Sequence, residues 1–174
     1  MRKHSGMKPQ DIVILLKIIV LEKQPWRQLD IANSLFISTF EVSNSLHRCV
    51  FARLIDENLK KPFRKSLLEF LVHGLKYVYP VKPAGLIKGM LTAHSAPPLS
   101  HMINSLSESY VWPDVEGRVN GQGIEPLYAN APKAAKQDSK LYQLLTLIDA
   151  LRIGRSREQN LAAIELKKRI EHSE

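Results

Sequence analysis

The sequence contains a single cysteine, Cys49, among 174 residues. One cysteine excludes a disulfide framework within the chain and is typical of proteins that work in a reducing compartment. The longest apolar run, residues 12–21, is broken by Lys17 and is shorter than the roughly 20 residues that span a bilayer. Basic residues precede this run as they would in a signal peptide, but no small-residue cleavage site follows it. We therefore expect a cytoplasmic protein without a membrane span.

The common catalytic and metal-binding motifs are missing as well. The sequence has no Walker A loop, no GxGxxG, no GxSxG and no HExxH. His94 and His101 are separated by a Pro-Pro segment and have no cysteine pair beside them. Asp114 and Glu116 lie in the loop WPDVEGR, where solvated carboxylates are expected more often than a catalytic pair. We expect no enzyme activity, no metal site and no cofactor.

Positive charge is unevenly distributed along the chain. The net charge is +8, with 15 Lys/Arg and seven Asp/Glu in residues 1–94 and ten of each in residues 95–174. The whole excess therefore lies in the first half. Such asymmetry favours an acidic polymer as the partner of that half.

Residues 8–55 predict three short helices. The first, Lys8–Lys23, is apolar nearly all round and should be buried on more than one side. Pro25 ends it, and Trp26–Leu35 forms the second. Ser38 is the N-cap of the third, with Glu41 three residues later as in a capping box. The inward stripe of this third helix is Val42, Ser45, Leu46, Cys49 and Val50, and its outward set is Thr39, Phe40, Ser43, Asn44, His47 and Arg48.

The rest of the chain predicts a helix, a hairpin, a connection and two more helices. Pro62 and Gly74 bracket the fourth helix. Two β-rich runs, Lys76–Val81 and Leu86–Thr92, flank a Pro-Ala-Gly turn and predict a β-hairpin. Residues 95–135 are rich in Pro and Gly and form a connection packed on the surface of the core. Residues 136–174 form two helices separated at Gly154.

The segment Gln28–Ile55, QLDIANSLFISTFEVSNSLHRCVFARLI, resembles the helix-turn-helix of bacterial winged-helix transcription regulators, of which the MarR-like group is the best known. Ten residues carry the match: Leu29, Ala32, Leu35, Ile37, Ser38, Val42, Ser43, Leu46, Leu54 and Ile55. The resemblance implies a mainly α fold with a small β-hairpin wing, in which residues 1–94 form a winged helix-turn-helix DNA-binding domain and C-terminal helices follow. Two features depart from the family pattern. Arg53 occupies a position where the family usually has glycine, and a whole helix separates the third helix from the predicted wing.

The outward face of the third helix carries side chains that can pair with base edges. Asn44 can form hydrogen bonds with adenine, and Arg48 with guanine or a phosphate. Ser43 or Thr39 can bond with either a base or a phosphate. His47 lies on the same face. Basic residues around the predicted wing are candidates for phosphate or minor-groove contact: Arg64, Lys65, Lys82 and Lys88. The resemblance implies that Arg27 and Gln28, at the start of the second helix, hold phosphates.

By this resemblance the chain is expected to be a sequence-specific DNA-binding transcriptional regulator, a homodimeric repressor on double-stranded DNA. Residues 136–174 would then form the dimer or complete the monomer core, and the apolar first helix is a second candidate dimer surface. The alternative is a protein-interaction module, such as the regulatory or antitoxin partner of a neighbouring-gene enzyme. The two hypotheses differ in what the polar face of the third helix contacts.

Overall fold

The computed structural model describes residues 6–22, 24–59, 61–103 and 109–171. It is mainly helical with one small sheet. The helices are α1 (Pro9–Leu21), α2 (Gln28–Leu35), α3 (Thr39–Phe51), α4 (Arg64–Glu69), α5 (Leu75–Val78), α6 (Ala131–Gln137), α7 (Ser139–Ile153) and α8 (Ser156–Glu171), with a π-helical turn at Phe70–Gly74 and 3₁₀ turns at Ala93–Ser95 and Leu99–His101. The strands are β1 (Leu86–Leu91), β2 (Tyr110–Pro113) and β3 (Val119–Gly123).

Helix α1 lies inside the molecule. Pro9 begins it, at a position where the missing N–H leaves no hydrogen bond unmade. Its side chains from Ile12 to Leu16, together with Ile18 and Ile19, are almost fully buried. Contacts with α2, α3 and α7 surround it, so the predicted burial on more than one side is confirmed. Because its own chain covers this helix, α1 has little apolar surface left to offer a second copy.

Helix α7 joins the two halves of the chain. The carboxylate of Asp138 caps it by accepting a hydrogen bond from the Leu141 amide and also accepts one from Lys17 on α1. Every residue from Leu144 to Leu151 is buried, and the two C-terminal helices separate at an extended Gly154, as predicted. The apolar core is one continuous cluster from α1 to α8. Residues 1–94 and 136–174 therefore share a single core.

The three strands close on one another. Strand β1 is antiparallel to both β2 and β3, with Met90 opposite Trp112, and β2 runs parallel to β3. A Cβ on Gly89 would lie 2.0 Å from the Trp112 carbonyl oxygen, and one on Gly117 would lie 2.3 Å from the Gly89 carbonyl carbon. Glycine is required at both positions because backbone occupies the space of a side chain.

A buried carboxylate attaches this sheet to α7. Asp149 accepts hydrogen bonds from Thr92 Oγ1 at 2.7 Å, Trp112 Nε1 at 2.6 Å and Arg152 Nη1 at 2.8 Å. Burial raises the pKa of Asp149 above its ordinary value, and the Arg152 charge and these hydrogen bonds only partly offset that rise. The hydrogen-bond donors to this buried carboxylate all come from the protein, so the cluster positions the sheet against the core.

The predicted hairpin of Lys76–Val81 with Leu86–Thr92 is wrong. Residues 75–78 continue the helical segment that starts at Arg64, passing Gly74 through the π-helical turn. Leu71 and Leu75 are both fully buried and four residues apart, so their burial favours helix over strand. Strand β1 instead pairs with β2 and β3, which come from the segment predicted as a connection, residues 95–135.

No helix of the described residues is both long enough and apolar enough to cross a bilayer.

Candidate nucleic-acid interface

Helices α2 and α3 are joined by a three-residue turn. Phe36 ends α2 in the left-handed region, with φ 55° and ψ 43°. The Ile37 amide then donates to the Ala32 carbonyl at 3.1 Å, which closes the end of α2. The Ser38 hydroxyl accepts a hydrogen bond from the Glu41 amide at 3.1 Å, so the predicted N-cap of α3 is confirmed. These local bonds set the angle at which α3 leaves α2.

Helix α3 ends with a left-handed residue at the position where the resemblance would place glycine. Arg53 has φ 56°. The Leu54 amide donates to the Cys49 carbonyl and the Arg53 amide to the Val50 carbonyl, both at 2.9 Å, which is the Schellman arrangement. Arginine therefore adopts the conformation that glycine adopts without strain.

A very short hairpin follows directly. Ile55 pairs antiparallel with Pro62 in a single bridge. The Phe63 amide donates to the Leu54 carbonyl at 2.9 Å, and the Asp56 amide to the Lys61 carbonyl at 3.0 Å. Residues 54–59 and 61–63, here called the 54–63 hairpin, stand directly after α3, much nearer in sequence than the hairpin predicted at residues 76–92. Arg53, just before the hairpin, and Lys61, next to its turn, are both exposed.

The inward stripe of α3 is as predicted. Val42, Ser45, Leu46 and Cys49 are buried, and Val50 is half-buried. Burial raises the pKa of the Cys49 thiol to about 12, with the nearby Asp11 carboxylate adding to the effect. The thiol therefore stays protonated and structural at neutral pH.

Five of the six residues predicted to face outward on α3 do so. Thr39, Phe40 and His47 are exposed, while Ser43 and Asn44 are half-exposed. Phe40 is 75% exposed, and Phe51 at the other end of the helix is 68% exposed. At about 100° per residue, positions 40, 44, 47 and 51 lie along one line of the helix surface. This line, Phe40–Asn44–His47–Phe51, is called the α3 face below.

Arg48 is the exception, and its predicted outward position is wrong. Its side chain is only 10% exposed. Arg48 Nε donates to Asp11 Oδ2 at 2.9 Å, and Nη2 donates to Asp11 Oδ1 and to Glu41 Oε1, each at 2.6 Å. Asp11 lies on α1 and is fully buried, so it needs a cation nearby. Arg48 supplies that cation and is not available to base edges.

The same cluster shifts two pKa values. The hydrogen bond to Asp11 raises the pKa of Arg48 further above its ordinary value. Burial would raise the pKa of Glu41, but hydrogen bonds from Arg48 and Gln10 outweigh it and lower this pKa. At neutral pH Glu41 is therefore negatively charged beside the positively charged Arg48.

The residues expected to hold phosphates fall in different places. Arg27 is exposed at the N-cap of α2, where it pairs with Asp30 at 3.3 Å, and Gln28 is half-buried as the first residue of α2. Lys65 is exposed on α4. The guanidinium of Arg64 donates to the carbonyl of Ile170 on α8, which directs it toward the C-terminal helix.

Lys82 and Lys88 were assigned to a wing that does not form. Lys82 is exposed in the segment before β1, and Lys88 is exposed on β1 itself. Strand β1 belongs to the closed three-stranded sheet beside α7. The structure therefore does not bring these lysines to α3 through the predicted strand pairing.

Sequence reasoning missed Asp11 and Lys61 as residues of this region and named Arg53 only as a departure from the family pattern. An ionisable residue one position before an apolar run that becomes fully buried was the available signal for Asp11. The 54–63 hairpin was harder to predict from the sequence, because its two strands are so short that they form only one bridge. Among the described residues, no group of three or more His, Cys, Asp or Glu side chains is placed to hold a metal ion.

Comparison of this chain with protein-family models, with curated proteins and with solved structures gave no match.

Proposed function

We propose that this protein is a sequence-specific DNA-binding transcriptional regulator of the winged helix-turn-helix type, a repressor that acts as a homodimer. Helix α3 would enter the major groove with its N-terminal half, and the 54–63 hairpin would lie against the phosphate backbone. A groove about 12 Å wide admits one α-helix.

The observation that carries the proposal is the order α2, tight turn, α3, left-handed Arg53 and the 54–63 hairpin. Together these place an exposed helix face beside a short hairpin with exposed cations. Arg27 at the N-cap of α2, Arg53 just after α3 and Lys61 in the hairpin are exposed cations of this segment. Neutral polar groups on the helix and cations around it match the division between base contacts and phosphate contacts in DNA complexes.

A homodimer would bring two copies of α3 to half-sites one helical turn apart. The buried α7 is occupied by the monomer core, so we propose α8 as the dimer element. Its outer side carries Ile164, which is 52% exposed. A cavity of about 360 Å³ lies between α4 and α8. Its lining combines apolar side chains (Leu68, Val72, Ala163 and Ile164) with charged or polar ones (Lys65, Glu69, His73, Lys167 and Glu171).

The test is fluorescence anisotropy against the duplex upstream of the gene that encodes this chain and against a scrambled duplex, over a salt series. We expect tighter binding to the native duplex and a steep loss of affinity with salt. Asn44→Ala should reduce the preference between duplexes, whereas Asn120→Ala, at an exposed asparagine on β3, should leave it unchanged. Weak and equal binding to both duplexes would contradict the proposal.

One observation favours a second function. The two largest side chains of the α3 face, Phe40 and Phe51, are apolar, and aromatic residues are enriched at protein interfaces. A protein-interaction module would use both rings, whereas a helix that enters the groove by its N-terminal half uses Phe40 alone. Loss of partner capture in both Phe40→Ala and Phe51→Ala, with no duplex binding by the parent protein, would favour the second function.

A further inference from the structure

The α3 face carries no cation. Arg48 is the only Lys or Arg between Thr39 and Phe51, a range that is described in full. Its guanidinium is held by Asp11 and Glu41 through three hydrogen bonds of 2.6–2.9 Å. Arginine or lysine bonded to guanine O6 and N7 is the commonest specific contact in the major groove. Helix α3 therefore lacks the side chains that most often recognise guanine.

The side chains that remain exposed on the α3 face suit an A·T base pair. Asn44 is half-exposed, and the carboxamide of asparagine bonds adenine N6 and N7 in a bidentate pair. Phe40 lies one turn before Asn44 on the same line of the helix and is 75% exposed. An aromatic ring in the major groove contacts the 5-methyl group of thymine, which is the apolar feature of that groove.

From this arrangement we infer that α3 selects A·T base pairs, with Asn44 bonded to adenine and Phe40 packed on a thymine methyl group. The inference rests on the proposed DNA binding and names the sequence class that α3 recognises. It also explains why a large apolar side chain is exposed at the N-terminal end of α3, which is the end that contacts base edges in helix-turn-helix complexes. Phe51 lies eleven residues later, about 16 Å along the helix axis, and is not required for the contact.

The first step of the test is selection of bound duplexes from a pool with a random 20-base-pair centre, using the full chain. We expect enrichment of half-sites with A·T pairs at their centre. In the enriched duplex, single thymines are then replaced by deoxyuridine, which removes only the methyl group. At one position per half-site the parent protein should bind the uridine duplex roughly fourfold more weakly, which corresponds to one buried methyl group.

Matched variants identify the side chain responsible. Phe40→Ala should bind the thymine and uridine duplexes equally, while Phe51→Ala should retain the parent's difference. Asn44→Ala should lose on the order of tenfold or more of the preference for adenine over guanine at one position. Because Phe40 and Phe51 are both exposed, both alanine variants are expected to fold, and circular dichroism checks this.

Failure of this inference is distinguishable from failure of DNA binding itself. Enrichment of sites whose central contacts are G·C pairs, with no effect of uridine, would overturn the A·T inference and leave the proposed function intact. Loss of the thymine–uridine difference in Phe51→Ala but not in Phe40→Ala would also overturn it. No enrichment from the pool would overturn the proposed function and this inference together.

Discussion

The Arg48 guanidinium on α3 lies 2.6 and 2.9 Å from the two carboxylate oxygens of Asp11 on α1. Asp11 is fully buried, and its carboxylate also accepts a hydrogen bond from the Lys8 amide at 2.8 Å, which caps the start of α1. One carboxylate therefore both begins α1 and holds α3 against it. This pairing removes the only arginine of α3 from the face that we propose for DNA.

Removing one partner of this pair should destabilise the protein strongly. We expect Arg48→Ala to lower the free energy of unfolding by about 3–5 kcal/mol, because it leaves Asp11 buried without its cation. Urea denaturation measures this change. Arg27→Ala, which removes an exposed pair with Asp30, is the control and should have little effect. Equal effects of the two substitutions would show that the Asp11–Arg48 pair is not a structural link.

Replacing both members should recover part of that loss. The double variant Asp11→Leu with Arg48→Met leaves no unpaired buried charge, so it should be more stable than Arg48→Ala alone. The same denaturation measurement applies.

Arg53 is expected to be a strained position. Its φ of 56° is costly for a residue with a Cβ and not for glycine. We expect Arg53→Gly to raise the free energy of unfolding by about 0.5–1 kcal/mol. This is the backbone strain that glycine relieves, minus the cost of the greater backbone freedom that glycine has in the unfolded chain. Arg53→Ala keeps the Cβ and controls for loss of the side chain, so it should give no such gain. A larger gain from alanine than from glycine would contradict the explanation.

The contact between Gly89 and Trp112 should tolerate no side chain. In Gly89→Ala the new Cβ would meet the Trp112 carbonyl oxygen at 2.0 Å, so strand β1 must move away from β2. We expect a loss of about 1–3 kcal/mol in the free energy of unfolding, measured by urea denaturation. Gly85→Ala is the matched control, because a Cβ there has nothing within 4 Å. Similar stability of the two variants would argue against the closed sheet.

Stability should fall in mild acid because of His94. This side chain is 5% exposed, and neither ring nitrogen has a hydrogen-bond partner within the described structure. Burial lowers its pKa from 6.5, with Glu158 at 4.0 Å opposing the shift and Arg155 adding to it. The unfolded chain then takes up a proton at a higher pH than the folded protein, so acid favours unfolding.

The measurement is the free energy of unfolding at about pH 7.5 and about pH 5.5. The contribution of His94 should be complete above pH 6.5 and decline as the pH falls below that value. His94→Gln cannot gain the proton, so its stability should change less between the two conditions. An identical pH dependence in parent and variant would exclude His94 as the cause.

Several elements followed from local signals. The N-cap of α3 depends on Ser38 and an amide three residues away, and the inward stripe from Val42 to Cys49 depends only on helical spacing. The two C-terminal helices and their separation at Gly154 were predictable for the same reason. In each case the interacting groups lie within a few residues of one another.

The failures involve partners distant in sequence. Strands β2 and β3 form in a segment rich in Pro and Gly, where pairing to β1 rather than local propensity supplies the hydrogen bonds. The first part of the predicted strand at Lys76–Val81 is helical, up to Val78, because Leu75 is drawn into the core. The assignment of Lys82 and Lys88 to a wing failed with it.

The sequence by itself determined the amphipathic α3, its start at Ser38 and the concentration of positive charge in residues 1–94. Only the tertiary structure decided that Arg48 faces Asp11, 37 positions earlier in the chain. Helical spacing places Arg48 at the border between the inward and outward sides, so its direction depends on what α1 brings beside it. A buried carboxylate without a cation would be strongly destabilising, so Arg48 turns toward Asp11. The α3 face is left to Phe40, Asn44, His47 and Phe51.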